Sequence, residues 1–520
     1  MNSGANTLDH LPGLDLELVT PAPTSDNSGP TRPRVKPVDR SQLTWQMLDV
    51  ERLIEEDHPA RAIWTLTGRL KLEGFYAPIE AVEGNAGRTP WDPRLLVSLW
   101  IYAYSRGISS AREIARRCTY EPAFQWLCGL GAVNHHTLSD FRVAQDASLR
   151  ELFVQVLGVL SAEGLVSLER VMHDGTRIKA CAGADSFRRQ KSLEEHLEAA
   201  RQQVRAMADS GEEESARQRA ARERAARERQ DRLAEALKQL QEIQKAKRPE
   251  EQAEARASQT DPQARIMKQS GGGYAPGYNA QLSTEASHRI IVGVGLSQSG
   301  SDFGELIGAV ARVEQNLGAK PAQMVVDGGF TSRENLMALT EQGVDLIGSL
   351  NEGHGQKAQR QKRGVSEEFS SDKFTYDPEH DTYRCPAGEV LRHSGRDFRR
   401  GLIFHQYRAS TEKCRACEFG SKCCPGNVYH GRTLTRKEDA PVLRQFREKM
   451  QTEQAKSIYR ERGAVAEFPN AWIKDKIGLR QFRLRGLLKT GLELLWACLA
   501  YNIQQWVRLS WRPGLAVANN

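Results

Sequence analysis

Two apolar runs far apart in the chain stop in the same way, at an aspartate followed by glycine: Met172-His173-Asp174-Gly175-Thr176 and Val325-Val326-Asp327-Gly328-Gly329-Phe330. A short run that is apolar on both faces reads as a strand buried inside a sheet. Such a strand, here Arg170 to His173 for the first, ends by offering its carboxylate at the sheet edge. A third acid, Glu467, lies instead in a stretch of helical character, Tyr459-x2-Arg462-x4-Glu467-x6-Lys474. The chain is thereby held to an α/β fold in which two strand carboxylates and one helix carboxylate can meet. Brought together they make a hard-oxygen site for a pair of divalent ions, Mg²⁺ or Mn²⁺, about 4 Å apart. Sites of that kind cut and join phosphodiesters. An isolated Asp-Gly usually only turns a chain; the apolar strand before each pair and the Glu-x6-Lys spacing give these two more weight.

The rest of the chain divides by composition. Residues 1–44 are rich in Pro, Ser, Asn and Gly with little to bury, which reads as a disordered tail. From 45 to 160 the pattern is helical. Asp92-Pro93 starts one helix, Ser109-Ser110 lead into another at Ala111–Cys118, and a short one follows around Phe124 to Leu127, with Thr137 or Ser139 as the cap of a further helix. The spacing suits a helix-turn-helix, and equally a helical bundle that only packs on the core or dimerises. Between 187 and 248, in a strongly charged stretch, Leu193, Leu197, Ala200, Val204 and Met207, then Leu233, Leu237, Leu240 and Ile243, fall at coiled-coil intervals. This reads as a helical hairpin inserted between the first two strands, either a solvated spacer or an arm for dimerisation or DNA clamping. Residues 278–284 and Arg289–Leu296 form a hairpin, and Gly271-Gly272-Gly273 lacks the Lys-Ser or Lys-Thr of a nucleotide loop. A helix near 303–316, the strand of Asp327, a helix over 332–342 and a strand over 344–350 complete the order β-β-β-α-β-α-β.

Lys474 stands two helical turns beyond Glu467 and nearly on its face, where a cation can hold a phosphate, provided Pro469 does not break the helix. Tyr459 and Arg462 project the same way if the helix reaches back to them. The basic run Lys476, Arg480, Arg483, Arg485 and Lys489 suits a phosphate backbone. His173 alternates to the opposite side of its strand, a core position.

These residues, with Asn134-His135-His136-Thr137-Leu138-Ser139-Asp140-Phe141, resemble the bacterial insertion-sequence transposases of the DDE class, over about residues 45 to 508. One large group of them carries Tyr-x2-Arg-x3-Glu-x6-Lys; here the Arg-to-Glu gap is four residues and the Glu-to-Lys spacing is kept. The resemblance implies a ribonuclease-H-like mixed sheet over 165–350 and 440–510, behind an amino-terminal all-helical domain that binds element ends. It implies Asp174, Asp327 and Glu467 as catalytic metal ligands, with Asp174 bridging both ions. Tyr459, Arg462, Lys474, Arg480, Arg483 and Arg485 then contact double-stranded DNA, on which the chain assembles as a homodimer or higher.

A Cys-rich insertion over 351–439 separates the second aspartate from the glutamate. It holds Cys385-Pro386, Cys414-x2-Cys417 and Cys423-Cys424. Cys414 and Cys417 suit one tetrahedral Zn²⁺, which Cys385 and Cys423 can complete, with His405 and His430 in reserve; the alternative is a set of incidental buried thiols. Nine cysteines, mostly in this segment, argue for reduced thiols, and the formal charge of +7 over 520 residues permits nucleic-acid binding without requiring it. With no apolar run of roughly 18 residues and no leader pattern, the expectation is a cytoplasmic, nucleoid-associated protein with no membrane contact. Two other functions fit the same residues: a non-catalytic DNA-binding derivative, and a simple metal-dependent nuclease.

Overall fold

The run that begins at Arg170 does not end at its aspartate. In the computed structural model it forms strand β1, Arg170–Lys179, so Asp174 stands in mid-strand, not at a strand end as its Asp-Gly pair suggested. The cause is pairing. Asp174, Gly175 and Thr176 lie opposite Leu282, Gln281 and Ala280 of a long antiparallel neighbour, and a backbone whose polar groups are held along one edge stays extended. The structure describes residues 40, 43, 47–81, 89–209, 216–269, 271–350, 364–399, 402–425, 430–438 and 441–518. The tail expected over 1–44 lies almost wholly outside them, and Asp49–Asn520 forms one unit.

The fold is mixed α/β. The antiparallel neighbour, β3 (Tyr274–Glu285), carries β2 (Arg265–Lys268) and β4 (Ile291–Ser297) in turn along its far edge. Along the other edge of β1 run β5 (Gln323–Val325) and then β6 (Asp345–Ile347), both parallel to it. Met324, Val325, Leu346 and Ile347 are all buried, as short parallel strands covered on both faces must be. The helix Leu306–Leu317 leads from β4 to β5 and turns Leu306, Ala309, Val310 and Val313 inward, one stripe at helical spacing.

Two helices are apolar all round and therefore sit in the middle of the molecule. Pro93–Ser105 starts at Asp92, whose side chain accepts from Arg94 N at 2.8 Å, and is buried almost throughout. Leu487–Trp506 is buried from Leu492 to Ile503 and packs against that helix, against Asp146–Ala162 and against β4. Trp100 and Trp496 meet at 6.5 Å. Asn502 completes the edge of β4 as a neighbouring strand would, its Oδ1 accepting from Ile291 N at 2.9 Å and its Nδ2 donating to Ile291 O at 2.8 Å. The amino-terminal helices thus share one hydrophobic core with the sheet. The helix His135–Ala144 is capped by Asn134, which accepts from His136 N at 2.8 Å; Thr137 and Ser139 lie inside it, because the last extended residue before the first turn is the one that can cap.

Between β1 and β2, the helices Gln190–Asp209 and Ala216–Lys245 pack through Leu193, Leu197 and Ala200 against Leu233, Ala236 and Leu240. After β6 comes a second sheet, a five-strand antiparallel meander of β7 (Thr375–Asp377), β8 (Thr382–Arg384), β9 (Val390–Arg399), β10 (Leu402–Arg408) and β11 (Thr433–Lys437). It has a small core of its own, Phe374, Leu391, Tyr407, Ala409 and Leu434. Among the described residues no helix is long and apolar enough to cross a membrane.

Candidate active site

Parallel pairing sets the first two acids side by side. Arg170, Val171 and Met172 of β1 lie opposite Gln323, Met324 and Val325 of β5. Two residues beyond this register come Asp174, still within β1, and Asp327, two residues past the end of β5, near enough for its carboxylate to act on that of Asp174. Alternation decides the face. Met172 and Val325 are buried with Ala455, Ile458, Val465 and Ala466 of the helix Glu453–Asp475, so Asp174, two residues on from Met172, looks towards that helix.

The helix runs in step with β1. Four helical residues rise about 6 Å and two strand residues about 6.6 Å, so contacts repeat at matching intervals. Ala466 belongs to the cluster around Met172. Asn470 Nδ2 donates to Asp174 Oδ2 at 3.0 Å, and Lys474 Nζ donates to Thr176 Oγ1. Beyond the helix the backbone itself joins the strand, Lys179 N donating to Arg480 O at 3.2 Å and Phe482 N to Lys179 O at 2.8 Å. Pro469 lies inside the helix without ending it. Burial of Val465, Ala466, Asn470 and Ile473 outweighs the one backbone bond the ring removes.

The electrostatics follow from this packing. The carboxyl of Asp174 is pushed from 3.8 up to about 6, chiefly by burial; the Arg462 guanidinium pulls it down, and the carboxylates of Asp327 and, more weakly, Asp302 push it up. Loss of water around the carboxyl, more than any neighbouring charge, sets this shift. Burial lowers the Lys474 ammonium, which Asp174 holds back up. Asp327 folds its own loop, Oδ1 accepting from Gly329 N at 2.8 Å and its carbonyl from the Thr331 hydroxyl at 3.0 Å.

Behind β1 lies a polar layer that braces the strand. His173 is buried between Ser283 Oγ and Gln281 Oε1, each at 2.9 Å, and burial pushes its pKa down to about 3, so it is neutral. Gln281, Asn279 and Arg177 converge on Asp302 at 2.9, 2.7 and 2.8 Å. Residue 175 must be glycine here, because a Cβ would collide with Asp302 Oδ1.

Glu467 stands apart. It shares the Lys474 face of the helix but is exposed, its side chain lying back over Gly463. Among the described residues no three His, Cys, Asp or Glu side chains stand close enough to hold a metal ion. The structure therefore brings Asp174 and Asp327 together and leaves Glu467 at the rim, one turn from Asn470. Arg462 sits over the ring of half-buried Tyr459, 5.9 Å from its centroid. Arg480 pairs with Asp475, Arg483 Nε donates to Ser109 Oγ at 2.8 Å and Arg485 Nε to Cys181 O at 3.3 Å; all three are exposed. Their loop is clamped by buried Glu493, which accepts from Arg483 N at 3.2 and 3.0 Å and from Leu484 N at 3.0 Å. Asn470, Asp302 and Glu493 were not singled out from the sequence and carry no signal of their own; for Asn470 the interval from Glu467 and Lys474 could have shown its place beside them on a continuous helix.

The second sheet gathers thiols. Cys385, Cys414, Cys417, Cys423 and Cys424 line one small cavity, with Glu389 and Arg432 at its wall. Cys385 opens a tight turn in which its Sγ accepts from Glu389 N at 3.2 Å, and Gly388 takes φ +87°, a conformation that favours glycine. Cys414 Sγ accepts from Arg432 N at 3.4 Å. Burial, then the neighbouring thiols Cys424, Cys385 and Cys417, push the Cys414 pKa up, and a hydrogen bond from Cys423 pulls Cys424 down. His405 is engaged elsewhere, at 3.3 Å from His393 and 3.1 Å from Glu438, and neither it nor exposed His430 lines the cavity.

Two families match the chain, Transposase domain (DUF772) over residues 48–144 and Transposase DDE domain over residues 384–507. The second match takes in the thiol cavity, Glu467 and the basic run, and begins after Asp174 and Asp327. No curated protein and no solved structure matches the chain.

Proposed function

We propose, from the premise that a chain matched by these two families is an insertion-sequence transposase of the DDE class, that it binds the terminal inverted repeats of its element and catalyses metal-dependent strand cleavage and strand transfer. The observation that carries this reading is the proximity of Asp174, in mid-β1, to Asp327, just past the end of the parallel strand β5, beside one helix that also bears Glu467 and Lys474. The strand order, β3 antiparallel to β1 and β5 and β6 parallel beyond it, supports a ribonuclease-H-like sheet.

The donor set fits two divalent ions, Mg²⁺ or Mn²⁺: hard oxygens, with the Asp174 carboxyl buried enough to be pushed up to about 6 and the Asp327 carboxylate adding to that shift. Bound there, such ions supply Lewis-acid activation of water or a 3′-hydroxyl and stabilise the departing oxygen. Asp174 and Asp327 would hold them from the sheet side, and Glu467 would supply a further carboxylate from the rim of the helix. Lys474 holds a phosphate oxygen beside them, and Arg462 balances the carboxylates until the site is loaded. The 480–485 loop follows the backbone of double-stranded DNA, and the helices within 45–160 carry end recognition, in an assembly of two or more chains. Attack by a freed 3′-hydroxyl is direct transesterification, so no covalent protein intermediate is formed.

In the second sheet, Cys385, Cys414, Cys417 and Cys423, which line one cavity, would hold a structural Zn²⁺, with Cys424 as the neighbour that can replace the last. N–H donors aimed at Cys385 and Cys414 sulfur support this reading, since they stabilise thiolates.

The decisive experiment incubates the protein with Mg²⁺ and DNA bearing candidate ends. Asp174→Ala, Asp327→Ala and Glu467→Ala are expected to lose cleavage and joining by at least about a thousandfold while retaining fold and end binding. Cleavage without joining in the wild type would support a simple nuclease instead, and end binding without either reaction a non-catalytic derivative.

A further inference from the structure

Helix Glu453–Asp475 sends Asn470, not Glu467, deepest into the site. Asn470 is 7 % exposed. Its Nδ2 is committed to Asp174 Oδ2 at 3.0 Å, while its Oδ1 is buried with no hydrogen-bond partner. An amide oxygen stranded in this way carries an uncompensated loss of its hydration, and buried polar atoms are rarely left so. The residue before it is Pro469, which surrenders a further backbone bond of the same helix. Two unfavourable features thus coincide where the helix passes the aspartate pair.

Asp174, which Asn470 holds, has Asp327 beside it and Asp302 behind it, and the cations that reach it, Arg462 and Lys474, come from the same helix as Asn470. An amide oxygen is a hard, neutral donor of the kind Mg²⁺ and Mn²⁺ accept beside carboxylates. It adds a ligand without adding a third negative charge to a site where two already repel. We propose that Asn470 is itself a metal ligand, its Oδ1 coordinating a divalent ion held by Asp174 and Asp327, while its Nδ2 keeps the Asp174 carboxylate in place. Glu467, three residues earlier on the same helix, then completes the shell from the rim and is not the deepest ligand. This inference rests on the metal-dependent reading above.

The test is Mn²⁺ binding to the full-length protein without DNA, followed by electron paramagnetic resonance, with circular dichroism to verify folding. Asn470→Ala should weaken Mn²⁺ binding by about tenfold or more, and Asn470→Asp, which keeps an oxygen at the same place, should retain it. The Mg²⁺ concentration for half-maximal cleavage should rise in parallel for Asn470→Ala, with end binding in chelator unchanged. Unaltered Mn²⁺ binding in Asn470→Ala would overturn the proposal. So would an equal loss in both variants, which would assign Asn470 only its donor bond to Asp174. If Asp174→Ala and Asp327→Ala bind Mn²⁺ as the wild type does, the two-aspartate site itself is wrong; if they lose it and Asn470→Ala does not, only the role of Asn470 fails.

Discussion

Replacing Asp174 with asparagine should make the metal-free protein more stable at neutral pH while it destroys the site. The folded-state carboxyl titrates at about 6 against 3.8 for an unhindered one, and at roughly 1.4 kcal/mol per pH unit this is about 3 kcal/mol of strain on the ionised form. The sign is set by linkage: the native state holds the proton more tightly than the unfolded chain, so stability is full below about 3.8 and is lost as pH rises through about 6. Facing groups enter that balance, Arg462 and Lys474 as cations, Asp327 and Asp302 as anions. Asparagine is neutral throughout, and its carbonyl can still accept from Asn470. Melting temperature in chelator should therefore rise by a few degrees for Asp174→Asn at pH 7.5, and the gain should shrink through pH 6 and vanish near pH 4. Added Mg²⁺ should raise the wild type alone. A variant less stable than wild type at pH 7.5, or a gain that persists at pH 4, would refute the electrostatic account of the pocket.

Two further outcomes are expected. Glu493→Ala strands the N–H groups of Arg483 and Leu484, a loss of about 2–5 kcal/mol; amide exchange at those two positions should accelerate and DNA affinity should fall, whereas unchanged exchange would show that the clamp is idle. For the thiol cavity, elemental analysis of purified protein should find one zinc per chain, and its removal, or Cys417→Ser, should destabilise the second sheet while Mn²⁺ binding at Asp174 persists; protein that contains no zinc would remove that site.

Local pattern carried some features of this molecule and not others, for identifiable reasons. Period-two alternation was enough to put Asp174 and His173 on opposite sides of one strand, because sidedness needs only neighbours. Where that strand ends was not readable, since Gly175 and Thr176 look like a turn and stay extended only through partners beyond residue 277. Pro469-Asn470 reads as a helix break for the same reason: the burial that carries the helix through comes from a sheet specified some 300 residues earlier, an interval spanned by Asn470 and Asp174. Cys-x2-Cys announces paired thiols, but whether Cys423 or Cys424 joins them depends on the turn of a short helix. The exposure of Glu467 had no local signal at all.

The partners of β1 within the site, Asn470, Lys474 and Phe482, are made long after β1 itself as the chain leaves the ribosome. Domains organise in the order of synthesis, so a growing polypeptide can pair β1 with β3 and β5 while its cutting face is still half built. Any product halted before residue 453 would have both aspartates and no helix to cover them.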